Sequence, residues 1–135
     1  MISTPEHDAF IDAHRWAVLT TRRAGGEPVS SVIAYARDGD SLVISTPGAT
    51  LKRRHIERDP VVNLCVISNA EPFNFVAIEG HAAVETHDLE ANTRRVFENL
   101  AGTGYSLPDD LPYWLESQQR VILRITPGRV YGVIR

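Results

Sequence analysis

The chain has 135 residues, 43% of them hydrophobic and 23% charged, with 14 Lys+Arg against 17 Asp+Glu for a formal net charge of -3. This is the size of one ordinary domain, 1–135, long enough to bury a core without a disulfide or a structural metal, and its mild acidity argues against a general nucleic-acid binder. The single cysteine, Cys65, excludes a disulfide framework and an all-cysteine zinc site, and without a signal pattern or a long apolar run the expectation is a cytoplasmic protein with no membrane contact.

Thr4-Pro5-Glu6 predicts a helix start, with a hydroxyl to cap free N–H groups, proline in the first turn and an acid beside it; the helix is expected over 5–15. Trp16 to Thr21 is β-rich, Gly25-Gly26-Glu27-Pro28 favours a turn, and Val29 to Arg37 is extended. A second turn at Asp38-Gly39-Asp40 leads into Ser41 to Thr46, so the pattern predicts a three-stranded antiparallel meander. Thr46 and Pro47 then predict the start of a helix that Asp59-Pro60 ends, because the residue before proline avoids the α conformation. Val61 to Ser68 and Phe73 to Thr86 are two further strands, with Gly80 marking a bulge or barrel corner in the second. Leu89, Val96, Phe97 and Leu100 recur at helical spacing up to Gly102, one helical turn is expected around Tyr113-Trp114-Leu115, and a last strand over 121–133 is expected to break near Pro127-Gly128.

Val61 to Ile67 is apolar on both faces, whereas a barrel interior takes one face of each strand. With few helices to cover the outer wall, a homodimer packed through it is expected.

Hydrolytic motifs are absent: there is no GxSxG and no HExxH, and Cys65 reads as an inert core thiol. The histidines are not grouped as metal ligands. Gly48 to Lys52 lacks the spacing of a phosphate loop, yet Ser45, Thr46, a helix start and the cations Lys52, Arg53, Arg54 and Arg58 suit an anion. From the residues alone, the same run reads equally as a solvated basic face balanced by Glu57 and Asp59.

Val18 to Thr21, Gly25 to Pro28, Val29 to Tyr35, Asp38-Gly39-Asp40, Val43 to Thr46, Lys52 to Ile56, Arg58-Asp59-Pro60 and Ile78 to Ala82 follow in the order seen in the split-barrel flavin-binding family. The sequence resembles its pyridoxamine phosphate oxidase-like members and its coenzyme F420-dependent reductases, the latter also through Arg120 to Leu123 and Val130-Tyr131-Gly132. The resemblance implies a mainly β, six-stranded antiparallel Greek-key split barrel with short helices, working as a homodimer with cofactor grooves between subunits. It implies coenzyme F420, with FMN as the alternative, and hydride transfer to a small conjugated or heteroaromatic acceptor or, alternatively, cofactor binding without catalysis. Carried over by position, Ser45, Thr46 and Lys52 hold the cofactor phosphate, with Thr50 and Leu51 in the same set. Ser31, Val32 and Ile33 lie beside the ring, and Phe75 belongs to the wall given by the other subunit. Many deazaflavin relatives have arginine at the position of Thr50 and polar residues at Val32 and Ala34, so phosphate binding would rest on Lys52 and its neighbouring arginines. No catalytic residue and no metal ligand is implied; Tyr35, Tyr105 and Tyr131 are the phenols available to donate a proton.

Overall fold

The computed structural model describes residues 1–135. In chain order it comprises α1 (Pro5–Ala13), β1 (Trp16–Arg22), β2 (Pro28–Ala34), β3 (Ala36–Asp38), β4 (Ser41–Thr46), α2 (Leu51–Arg58), β5 (Val61–Ile67), β6 (Phe75–Glu85), α3 (Leu89–Asn99), α4 (Leu111–Ser117) and β7 (Val121–Val133). The strands form one antiparallel sheet in the order β2-β1-β5-β6-β7-β4-β3. Leu19 of β1, Ile33 of β2, Ile44 of β4, Leu64 of β5, Ile78 of β6 and Leu123 of β7 all belong to one buried cluster of 18 residues. Strands so far apart in the ladder share a core only if the sheet curls on itself, since neighbouring strands are about 4.8 Å apart. The two edges, β2 and β3, do not pair, so the barrel is split along that line.

The extended run 29–37 is therefore two strands rather than one, and the expected meander is not formed. Tyr35 sits between them as a corner: its hydroxyl donates to the Ile11 carbonyl at 2.6 Å with the His14 carbonyl 3.0 Å away, and its side chain is buried. Asn99 of α3 holds the same corner by donating to the Tyr35 carbonyl at 2.8 Å. β4, released from β2, pairs instead with β7. Counting the short β3 makes seven strands where six are expected.

Helices close what the curled sheet leaves open. Phe10 and Ile11 of α1 and Ile56 of α2 enter the main core, each such burial contributing about 1.5–3 kcal/mol. α1 is capped as expected, Thr4 Oγ1 accepting from His7 N at 3.2 Å, but it ends at Ala13 because His14 is already extended. α3 covers the outer face of β3, β4 and β7, where Val96 and Leu100 meet Ala36, Val43 and Ile122. α4 is longer than the single turn expected, since Asp110 Oδ1 accepts from Tyr113 N at 3.2 Å and Pro112 suits its first turn.

α2 begins at Leu51 with Thr50 as its N-cap, not at Pro47 with Thr46. Gly48 explains the delay: its N–H donates to the Gln118 carbonyl at 3.3 Å, and a Cβ there would collide with the Gln119 carbonyl. The loop is thus pinned to the α4–β7 connection before the helix can start. Gly80 does mark a bulge: the β6–β7 register shifts between Ile78 and Gly80, and a Cβ at Gly80 would lie 2.6 Å from the Thr126 carbonyl. With the irregularity absorbed in β6, β7 runs unbroken through Pro127-Gly128.

β5 alternates Val62, Leu64 and Val66 inward, so Cys65 faces outward and is half-buried rather than a core thiol. Register places Val32, Val18, Cys65, Ala77 and Tyr131 in one row across the outer wall. No helix is long and apolar enough to cross a membrane.

Replacing Tyr35 by Phe leaves the Ile11 carbonyl without its buried donor, at a cost of about 1–2 kcal/mol. Thermal melting should show a loss of about 3–6 °C; an unchanged midpoint would mean the corner does not depend on this hydroxyl.

Candidate functional site

A cleft of about 370 Å³ opens along the split, between the end of β2 and the end of β4. It brings together Val32, Ile33, Ser45, Thr46 and Lys52 of the residues expected from sequence. Ser31 pairs with Leu19 away from the cleft, and Leu51 is largely solvent-exposed. The Thr50 hydroxyl turns back, donating to the Pro47 carbonyl at 3.2 Å beside Thr46 Oγ1 at 3.3 Å. Phe75 lies at the start of β6 between Ile67 and Val133 and is not part of the cleft within one chain.

Side chains that sequence reasoning did not place complete the wall: Trp16 from β1, Phe97 from α3, Tyr105 from the α3–α4 connection, Trp114 from α4 and Arg120 just before β7. Trp16 and Tyr105 meet edge to face at 5.6 Å, and Phe97 and Trp114 do so at 5.9 Å. These geometries favour aromatic pairs and stiffen the wall. The Arg120 guanidinium lies 4.0 Å from the centre of the Trp114 ring. The β4–β7 pairing is what carries Arg120 to Ser45, Thr46 lying opposite Val121.

The electrostatics are one-sided. Lys52 and Arg120 are both half-buried, no carboxylate lines the cleft, and neither cation forms an ion pair. Burial first, and the nearby Arg120 second, hold the Lys52 amine below its usual pKa, while burial pushes Arg120 down to about 10. At the start of α2 no side chain caps the free N–H groups and no acid lies in the first turn, which adds partial positive charge. Two other cations of this helix are held elsewhere, Arg53 Nε donating to Glu57 Oε1 at 2.7 Å and Arg58 Nη2 to the Arg22 carbonyl at 3.1 Å, and Arg54 does not line the cleft. None of the arginines of α2 expected beside Lys52 lines the cleft; its second cation is Arg120, from far along the chain.

Of the phenols, Tyr35 is tied into its corner and burial raises its pKa, and Tyr131 is on the outer wall, leaving Tyr105 at the cleft. No cluster of three or more potential metal ligands occurs. A second hollow, about 470 Å³, lies on the outer wall at the Gly80 bulge, but its charge is mixed: Glu79 lines it and Arg22 is already paired with Asp59 at 2.8 Å.

The sequence matches the family described as pyridoxamine 5'-phosphate oxidase over residues 3–134. The chain belongs to that family. Solved members of the same fold include an F420 reductase, 20% identical with a TM-score of 0.76, covering 96% of this chain and 98% of the other. A conserved hypothetical protein of Mycobacterium tuberculosis is 23% identical with a TM-score of 0.77, over 98% and 84% of the two chains. A FAD-binding protein of Mesorhizobium loti is 18% identical with a TM-score of 0.70, over 96% and 93%. No curated protein matches the sequence. The split barrel described above is the fold that these solved structures share with the chain.

The free protein should be strained by its own cations. A folded-state pKa below the unfolded value means that charged Lys52 opposes folding at neutral pH, and this opposition fades as pH rises through the lowered pKa towards 10.5. Lys52→Met, which keeps the stem and removes the charge, should therefore raise the melting temperature of the ligand-free protein by about 2 °C near pH 7. A lowered midpoint would show that the amine is stabilising and that the cleft is not poised for an anion.

Proposed function

We propose that the protein is a coenzyme F420-dependent oxidoreductase that holds the cofactor phosphate at Ser45, Thr46, Lys52 and the start of α2, with the ring between β2 and the aromatic wall. The observation that carries this reading is the pair of half-buried cations, Lys52 and Arg120, unpaired with any carboxylate, at one end of a cleft that no carboxylate lines and that Trp16, Phe97, Tyr105 and Trp114 wall. Uncompensated buried charge is costly, and a bound phosphate removes that cost. Val32, Ile33 and Ala34 offer a flat apolar edge for a planar ring.

The residues present fit such a group. When bound, the deazaflavin supplies the hydride chemistry. The chain's own part is to hold the phosphate, set the ring against β2, exclude water with the aromatic wall and orient a small conjugated or heteroaromatic acceptor. No carboxylate or histidine lines the cleft, which supports a site that binds and orients rather than one that transfers protons through an acid–base pair. The same feature suits a protein that carries the cofactor without turnover, and FMN would present its phosphate to the same cations.

Fluorescence titrations with coenzyme F420 and with FMN separate these readings. The deazaflavin should bind at micromolar concentration or tighter and FMN clearly more weakly, and an acceptor should oxidise the reduced deazaflavin steadily. Preference for FMN would move the protein to the flavin branch; binding without turnover across a broad acceptor panel would make it a carrier. Lys52→Ala should weaken cofactor binding roughly ten- to hundredfold, as expected for a charge-assisted hydrogen bond. Affinity of the wild type should also fall as pH rises through the lowered Lys52 pKa, because only the ammonium attracts phosphate. A pH-independent affinity would place the phosphate elsewhere.

A homodimer is part of the same proposal. The outer row Val32, Val18, Cys65, Ala77 and Tyr131, with the neighbouring Ile67, Phe75 and Val133, is apolar and no helix covers it; Val32 is 66% and Tyr131 42% exposed. It is continuous with the cleft through Val32, so a second copy packed here would bring its own outer-wall residues, Phe75 among them, towards the ring site. Tyr131→Glu should convert the dimer to a monomer in sedimentation velocity, whereas a wild-type monomer at micromolar concentration would remove the proposal.

A further inference from the structure

Ser45 and Arg120 meet in an arrangement that the positive charge of the cleft does not by itself explain. Arg120 Nε and Nη2 both donate to Ser45 Oγ, at 3.3 and 3.1 Å, and Nη2 also reaches the Ser45 carbonyl at 3.3 Å. Nη1 is held by Gln118 Oε1 at 2.8 Å, and the plane of the group rests against Trp114. A hydroxyl has two acceptor positions and one proton. Arg120 fills both acceptor positions of Ser45, and the Ser45 proton finds no acceptor in the protein. Ser45 lines the cleft, so that proton is left for a ligand.

We propose that Arg120 is a positioning residue that locks Ser45 as a hydrogen-bond donor, so that this end of the cleft favours an acceptor such as an oxyanion oxygen and rejects a group that can only donate, such as an ammonium. The inference rests on the phosphate-holding reading above and adds to it the residue that selects the ligand atom. Arg120 touches the ligand only through Ser45: its bonds to Ser45 and Gln118 and its seat on Trp114 leave it little freedom to turn towards the cleft. Lys52 supplies the mobile ammonium, while Ser45 supplies a fixed donor whose direction is set before the ligand arrives, which lowers the ordering required on binding.

The test is a double-mutant cycle with Ser45→Ala, Arg120→Met and the double variant, each titrated with inorganic phosphate and with coenzyme F420. Trp114 fluorescence, in a Trp16→Phe background, reports phosphate binding. Each single change should weaken binding by about tenfold or more, and the double variant should be no worse than the poorer single variant by more than about threefold. Ser45→Thr, which keeps the hydroxyl, should stay within about threefold of the starting protein. If Arg120→Met does not fold, Arg120→Lys replaces it in the cycle, because a single ammonium cannot reproduce the double donation.

Losses that multiply fully in the double variant would overturn the proposal, since the two groups would then act independently. Full affinity in Ser45→Ala would overturn it as well. A coupled loss for phosphate with no binding of coenzyme F420 or FMN would leave Arg120 as the positioning residue and remove the cofactor reading. Binding of coenzyme F420 with uncoupled losses would do the reverse, and binding of neither phosphate nor cofactor would remove both.

Discussion

The corner at Tyr35 is the constraint from which the rest of the molecule follows. Its hydroxyl is bound to the end of α1, its carbonyl to Asn99 of α3, and its ring is buried, so the chain changes direction between two strands that would otherwise be one. Because β2 stops there, it does not reach β4; because β4 is free, it pairs with β7. A closed barrel of this size fills its interior with side chains and has no room for a ligand. A barrel held open at one seam keeps a packed core and gains a cleft at the seam.

The same pairing explains the electrostatics. β4 with β7 brings Arg120 beside Ser45, and Gly48, pressed against the Gln118–Gln119 backbone, sets where α2 can start and hence where Lys52 points. Two cations and an uncapped helix start then face one space with no carboxylate in it. Folding tolerates this because each cation is only half-buried, but the arrangement is less favourable without an anion than with one. Stability surrendered at one place is the pattern expected of a functional site, and the aromatic pairs Trp16–Tyr105 and Phe97–Trp114 stiffen the wall beside it.

Much of the fold was legible because it is written in local signals. Thr4-Pro5 caps α1, Asp59-Pro60 follows the end of α2, Gly80 sits at the bulge, and the two-sided apolar character of Val61 to Ile67 appears as an inner core row and an apolar outer row. What was not legible depends on contacts between distant segments. Nothing in the run 29–37 distinguishes one strand from two, since Tyr35 becomes a corner only through Ile11, His14 and Asn99. Pro47 has the right chemistry for a helix start, and only the distant Gln118 and Gln119 postpone it. In the site, Ser45, Thr46 and Lys52 were accessible through the resemblance, but Trp114 and the place of Arg120 beside Ser45 were not, because the residue that faces Ser45 is fixed by strand pairing across most of the chain. For the arginines of α2 the sequence leaves two readings open, and the structure favours the solvated basic face at Arg53, which pairs with Glu57, while Arg58 turns to the Arg22 carbonyl.

The most direct test of the account is a crystal structure of the protein grown with coenzyme F420. The account predicts the cofactor phosphate within hydrogen-bond distance of Ser45 Oγ and Lys52 Nζ, and the ring lying along Val32 to Ala34 at the split. A phosphate bound away from Lys52, or a ring seated on the outer-wall hollow around Gly80, would contradict it.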